Sequence, residues 1–168
     1  MKSLSEIETL SKRASKAAGY PWGIAEEVGK GVRLLELFGL AGIKNLNEYF
    51  KSKANNQFEN LNLINEDNQS GKHAYCPIIF GISFLDQVKT LEKFDKIRLN
   101  NIAYPLLVLP FLSRSSEIIG KKIYYKFDEH EYLLNFNVNI FSKIPSDKYQ
   151  IIGNNIEVIF LENKDNFS

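Results

Sequence analysis

An α+β fold, an N-terminal helical hairpin and further short helices packed on a C-terminal antiparallel β-sheet, follows from three observations. Leu4, Ile7, Leu10 and Ala14, then Ile24, Val28, Val32 and Leu35, recur at helical spacing. From Ile123 the apolar residues alternate instead: Ile123, Tyr125, Phe127, then Tyr132, Leu134, Phe136, Val138, Ile140. That is the pattern of strands with one solvated face. Helices first and strands afterwards, rather than in alternation, place the helices over one face of a sheet. At 168 residues the chain is long enough for a single domain with a substantial core. Its expected parts are a helical region (1–54), a polar connection (55–72), a helix plus antiparallel sheet (73–162) and a tail (163–168).

Ser3 and Glu6 have the spacing of a capping box and open the first helix. Leu4, Ile7, Leu10, Ala14, Ala17 and Ala18 form its apolar side, and Gly19 stops it. The second helix starts near Pro21, ends before Gly39 and buries Ile24, Val28, Gly31, Val32, Leu35 and Phe38. Glycine costs about 1 kcal/mol against alanine inside a helix. Gly31 therefore implies close helix packing, with the preceding helix the favoured neighbour, or a ligand against bare backbone. Asn45 and Glu48 suggest a second capping box and a helix through Lys53. Residues 55–72 are rich in Asn, Gln and Glu and read as a long surface connection, of the kind that is often mobile or functional.

Between 78 and 90 two periods compete. Ile78, Phe80, Ile82 and Phe84 alternate, while Ile78, Ile82, Leu85 and Val88 step like a helix, which Pro77 at a first helical position favours. Residues 103–109 read as a buried extended segment, and Pro110 opens a short helix ending at Gly120. A turn at 128–130 joins the strands at 123–127 and 132–140. A last hairpin is expected from Tyr149 to Leu161, turning at Gly153-Asn154-Asn155.

The formal net charge is +1, so no global field recruits nucleic acid or anionic lipid. There is no Gly-rich phosphate loop after a strand and no aromatic-basic RNA motif. No apolar run is long enough to span a bilayer, and the N-terminus lacks a signal peptide's apolar core. With a single cysteine, Cys76, no internal disulfide can form. A cytoplasmic protein is expected, with neither nucleic acid nor membrane as partner.

The run Lys16-Ala17-Ala18-Gly19-Tyr20-Pro21-Trp22-Gly23-Ile24-Ala25-Glu26-Glu27, the pair Cys76-Pro77, and Pro105-Leu106-Leu107-Val108-Leu109-Pro110-Phe111 resemble an uncharacterised bacterial family known only as a domain of unknown function. The resemblance implies a single bacterial domain and carries no activity, cofactor or catalytic residue.

Candidate chemistry gathers at the corner between the first two helices. Glu26 and Glu27 point about 100° apart. Glu26 faces solvent with Lys30 and Arg33 on its side, whereas Glu27 flanks the apolar stripe and needs a donor, which Tyr20, Trp22 or a basic residue elsewhere could supply. Both glutamates also suit the start of a helix, where negative charge is favoured. Tyr20 and Trp22 either line a pocket for a small apolar or cationic ligand or staple the hairpin to the sheet. Cys76 serves as a buried small hydrophobe or, given a base such as His73 or His130, as a nucleophile. His73 and Cys76 alone do not make a zinc site, so no metal is assigned.

Three functions fit. The first is a metabolite-binding or accessory protein whose pocket, near the helix hairpin, draws on Tyr20, Trp22, Glu27 and Cys76. The second is an enzyme using Glu27 or Cys76, with the catalytic groups and any cofactor unknown. The third is an interaction module, forming a homodimer or joining another protein through a sheet edge.

Overall fold

The computed structural model describes residues 2–136, 139–142 and 151–162. Within them the fold is α+β. Helices α1 (Leu4–Ala17), α2 (Trp22–Leu37) and α3 (Gly42–Asn55) come first. Next come the short strand β1 (Asp67–Asn68), α4 (Pro77–Leu91), β2 (Lys96–Ala103), a 3-10 turn (Pro105–Val108) and α5 (Leu109–Ile119). Strands β3 (Lys122–Phe127), β4 (His130–Asn135), β5 (Asn139–Ser142) and β6 (Ile152–Leu161) complete it. The sheet order is β1-β2-β6-β3-β4-β5, antiparallel except where β1 runs parallel to β2.

The helix boundaries follow from local chemistry. Ser3 Oγ accepts from the Glu6 amide at 3.1 Å, as its spacing predicts. Gly19, at φ 103°, ends α1 in a Schellman motif, with Gly19 N donating to Lys16 O (3.0 Å) and Tyr20 N to Ser15 O (3.1 Å). Gly39 ends α2 the same way, through Glu36 O and Leu35 O. The expected capping box at Asn45 does not form. Helix α3 begins four residues earlier, where Glu36 of α2 accepts the Ile43 amide at 2.9 Å. Asn45 is instead buried inside the helix, its amide donating to Ala41 O.

Bare backbone sets the helix packing. A Cβ on Gly29 would lie 2.8 Å from Glu8 O of α1, and one on Gly31 would lie 3.1 Å from Pro110 Cβ of α5. Gly31 thus marks close packing, but against α5 rather than α1. The α1 contact also rotates that helix. Ser11 and Ser15 are buried with Ile7, while Leu10 and Ala17 are exposed, because a tight crossing accepts small residues and excludes leucine. The expected Glu26–Lys30–Arg33 ladder gives way to pairs between the two helices, Lys12–Glu26 at 3.6 Å and Arg33–Glu8 at 3.4 Å.

Helix α4 is the central element, with Pro77, Ile78, Phe80, Gly81, Ser83, Phe84, Val88 and Leu91 all buried. Phe84 stacks on Phe160 of the sheet, and Gly81 faces Phe111 of α5. Burial on several sides erases a single apolar stripe, which is why two periods competed over this segment.

The sheet differs from expectation in three places. Residues 96–103 form β2, while 105–109 wind into the 3-10 turn and the start of α5 instead of staying extended. Tyr104, at φ 44°, makes the change of direction between them. Gly153-Asn154-Asn155 is not a turn: β6 runs through it, Asn154 opposite Asn101 and Gly153 opposite Ile102. The strand expected at 132–140 breaks at Phe136, at φ 56°, into β4 and β5. The strand start at Tyr149 and the tail 163–168 lie outside the described residues.

The 55–72 connection is knitted to the fold. Buried Asn68 receives the Asn65 amide and donates to Asn65 O and Arg98 O, Ser70 N donates to Asn100 Oδ1, and Ile64 N donates to Gln87 Oε1.

Because a Cβ on Gly81 would fall within 2.2–2.8 Å of the buried Phe111 ring, Gly81→Ala is expected to destabilise the fold by about 1–3 kcal/mol, overriding the helix-propensity gain. Gly23, with nothing within 4 Å of such a Cβ, gives the opposite sign: Gly23→Ala stabilises by about 0.4–1 kcal/mol. Urea unfolding of the two variants checks the pair.

Candidate functional site: a thiol-floored cleft

Three chain segments meet at the N-terminus of α4. Pro77 supplies the first helical residue, and Cys76 before it is the N-cap, its Sγ 3.5 Å from the Ile79 amide. The Cys76 amide donates to Glu59 O at 2.8 Å, and Glu59's carboxylate receives the Gly71 and His73 amides at 2.9 and 2.8 Å. Those backbone donors, Gly71 first, hold the Glu59 pKa below the usual carboxylate range. The connection therefore positions the cysteine. The Schellman turn at Gly19 delivers Tyr20, and α3 delivers Tyr49.

Tyr49 donates to Cys76 Sγ at 2.8 Å, and the Tyr20 hydroxyl lies 3.7 Å from the same sulfur. All three side chains are buried, Cys76 at 2% exposure. Burial foremost, and then the neighbouring Cys76, raises both phenol pKa values well above 10. At neutral pH both rings keep their protons, so they act as donors and not as bases.

Phe50, Phe58 and Tyr104 surround Tyr49 at centroid distances of 5.9, 5.2 and 5.7 Å. Outside this ring cluster opens a cleft of about 350 Å³, near the small end for ligand pockets. Tyr20, Tyr49, Cys76, Phe58 and Ile79 form its floor and walls; Lys53, Asn56, Gln57 and Asn60 also line it.

Tyr20 and Cys76 thus come together, while Trp22 and Glu27 go elsewhere. Trp22 is 55% exposed and carries the ammonium groups of Lys12 and Lys16 at 5.3 and 4.9 Å from its ring centroid. Glu27 finds its donor in Arg114 of α5, within a separate cleft that includes Lys30 and Glu117. Neither Trp22 nor Glu27 lines the Cys76 cleft: Tyr20 sits in the corner before α2, whereas Glu27 lies within α2 on the side that meets Arg114 of α5. His73 and His130 do not line it either, and His130 packs on Phe127. Among the described residues no three His, Cys, Asp or Glu side chains converge as a metal site would require.

Tyr49, Lys53 and Phe58 escaped the sequence reading. The available signal was the face Leu46, Tyr49, Phe50, Lys53 on α3, which lay within the expected helix but carried no hint of what it meets.

The chain is therefore an α+β protein with a thiol-floored, tyrosine-bonded cleft at the junction of its N-terminal helices and α4. Residues 2–75 match the model of a family described as a protein of unknown function, DUF3726. The match contains the corner at 16–27 that carried the resemblance, and it stops one residue before Cys76. No curated protein and no solved structure matches the chain.

Two predictions follow from this geometry. The raised phenol pKa values give stability that is complete below about pH 10, where unfolded tyrosine is also protonated. It declines above that by up to about 1.4 kcal/mol per pH unit for each buried tyrosine. Denaturant melts between about pH 9 and 11 should show the slope, and Tyr49→Phe should reduce it by one tyrosine's share. Glu27→Gln should cost about 1 kcal/mol through the lost Arg114 pair and leave the labelling rate of Cys76 unchanged.

Proposed function

We propose that the protein binds a small organic molecule in the Cys76 cleft, as a metabolite-binding or accessory protein in a bacterial cytoplasm, and that it acts as a single domain. The observation that carries this reading is the cleft itself, open to solvent and floored by a buried thiol whose polar partners are tyrosine hydroxyls. Such a floor is rigid and polar, and the ring walls around it suit a planar body. Within the described residues no helix is long and apolar enough to cross a membrane.

The enzyme reading has less support. A thiol nucleophile needs a base, and the groups in hydrogen-bond contact with Cys76 are phenols that hold their protons. Glu27 is engaged by Arg114 away from the sulfur.

Because the chain has one cysteine, thiol labelling reads this cleft alone. In a metabolite screen, at least one compound should both slow maleimide labelling of Cys76 and raise the melting temperature. Both effects should vanish in Gln57→Trp, which fills the cleft from its exposed rim. Stabilising compounds that act equally on Gln57→Trp, with labelling untouched, would place binding elsewhere and refute the reading.

A further inference from the structure

The reading above leaves the ligand's chemistry open, and the charges around the corner narrow it. Among the described residues, Lys53 is the one charged side chain lining the cleft, beside three amides and no carboxylate. Its ammonium stands 4.1 Å from the centroid of Tyr20, the ring that a cationic ligand would otherwise occupy. Lys12 and Lys16 take up Trp22 in the same manner. The chain's own lysines thus hold both aromatic cation sites at this corner, and a cationic guest would have to displace one of them against its charge. That argues against the cationic half of the expectation for Tyr20 and Trp22 and leaves the apolar half standing.

The lysines are also short of counter-charge. Lys12 meets Glu26 at 3.6 Å, and among the described residues neither Lys16 nor Lys53 meets a carboxylate within 4 Å. Lys12 and Lys16 sit on Trp22, outside the cleft, so the charge presented to the cleft is that of Lys53, with no carboxylate among the described lining residues. Cys76 and Ile79 bring the N-terminus of the 15-residue helix α4 to the cleft, and its backbone dipoles favour negative charge there. Phe58 and Ile79 supply apolar wall for the rest of the molecule.

Resting on the proposal that this cleft is a ligand site, we propose that its ligand is a planar carboxylate, with Lys53 as the charge partner and the Phe58–Ile79 wall holding the body. The amides of Gln57 and Asn60 supply further donors at the rim, whereas the Asn56 amide already donates to Ser52 O at 3.0 Å.

Benzoate, benzamide and benzylammonium share one ring and differ in charge, so they isolate the claim. With the full chain, half-maximal protection of Cys76 from maleimide should need about 3–10-fold less benzoate than benzamide. Benzylammonium should protect least. Lys53→Met should equalise benzoate and benzamide, Lys53→Arg should keep the preference, and added salt should shrink it. Phenyl phosphate protecting better than benzoate would overturn the carboxylate assignment in favour of a phosphate. Benzamide or benzylammonium matching benzoate, with protection lost in Gln57→Trp, would overturn the anion claim and leave the cleft as a binding site. A benzoate preference that survives Lys53→Met would remove Lys53. Labelling that responds to none of the compounds, nor to Gln57→Trp, would sink the cleft reading and this proposal together.

Discussion

Phe111 rests where a side chain on Gly81 would have to be, its ring against the bare backbone of α4. That contact fixes how deep α4 sits, and one turn of chain before it lies Cys76, so the same contact fixes the floor of the cleft. Neighbouring α5 meets α2 at a second bare position, where Pro110 lies against Gly31. Helices α2, α4 and α5 therefore approach through backbone rather than through interleaved leucines. Close-packed interiors tolerate little change of volume, so the positions are set to within a fraction of a methyl group.

Around that frame, polar groups do the positioning that apolar burial cannot. Asparagine and glutamate side chains in the 55–72 connection pair with backbone groups of β2 and of the connection itself, and Glu59 ties the approach to Cys76 at both backbone and side chain. A buried polar group is stable only when it is partnered, so each of these bonds also specifies a single arrangement. The thiol shows the same logic in small. Its two tyrosine neighbours would be costly to bury unpaired, and the Cys76 sulfur is the hydrogen-bonding group they share.

Features governed by short-range chemistry were legible in the sequence. The Ser3 cap, the Gly19 and Gly39 stops, the helix from Pro110 and the turn between β3 and β4 all depend on residues within a few positions of one another. Long-range competition decided the rest. Glu36, from a neighbouring helix, outbid the local cap at Asn45. Strand β2 was hidden because Lys96, Arg98, Asn100 and Asn101 break its apolar run; once paired with β6, Lys96, Arg98 and Asn100 share one face and Ile97 and Leu99 the other. The Gly153-Asn154-Asn155 triplet has turn chemistry, and Asn155 does sit at φ 53°, but pairing of Gly153 and Asn154 with β2 carries the strand through it. Of the site, Tyr20 and Cys76 could be picked out as chemically loaded. That they meet, and that Trp22 and Glu27 do not join them, depends on the direction in which α2 leaves the corner.

The pairing of β1 with β2 has a bearing on how the molecule keeps to itself. An unpaired strand of eight residues offers a row of amides and carbonyls to any passing chain. Here Glu66 O, the Asn68 amide and Tyr75 O occupy part of that row, and the Asn100 side chain of β2 bonds Ser70 in turn, so the asparagine-rich stretch works as a selvage sewn along the sheet's border. A protease nick within it would unpick the seam and leave β2 free to recruit a foreign strand. Damage in the most polar part of the chain would then surface as insolubility.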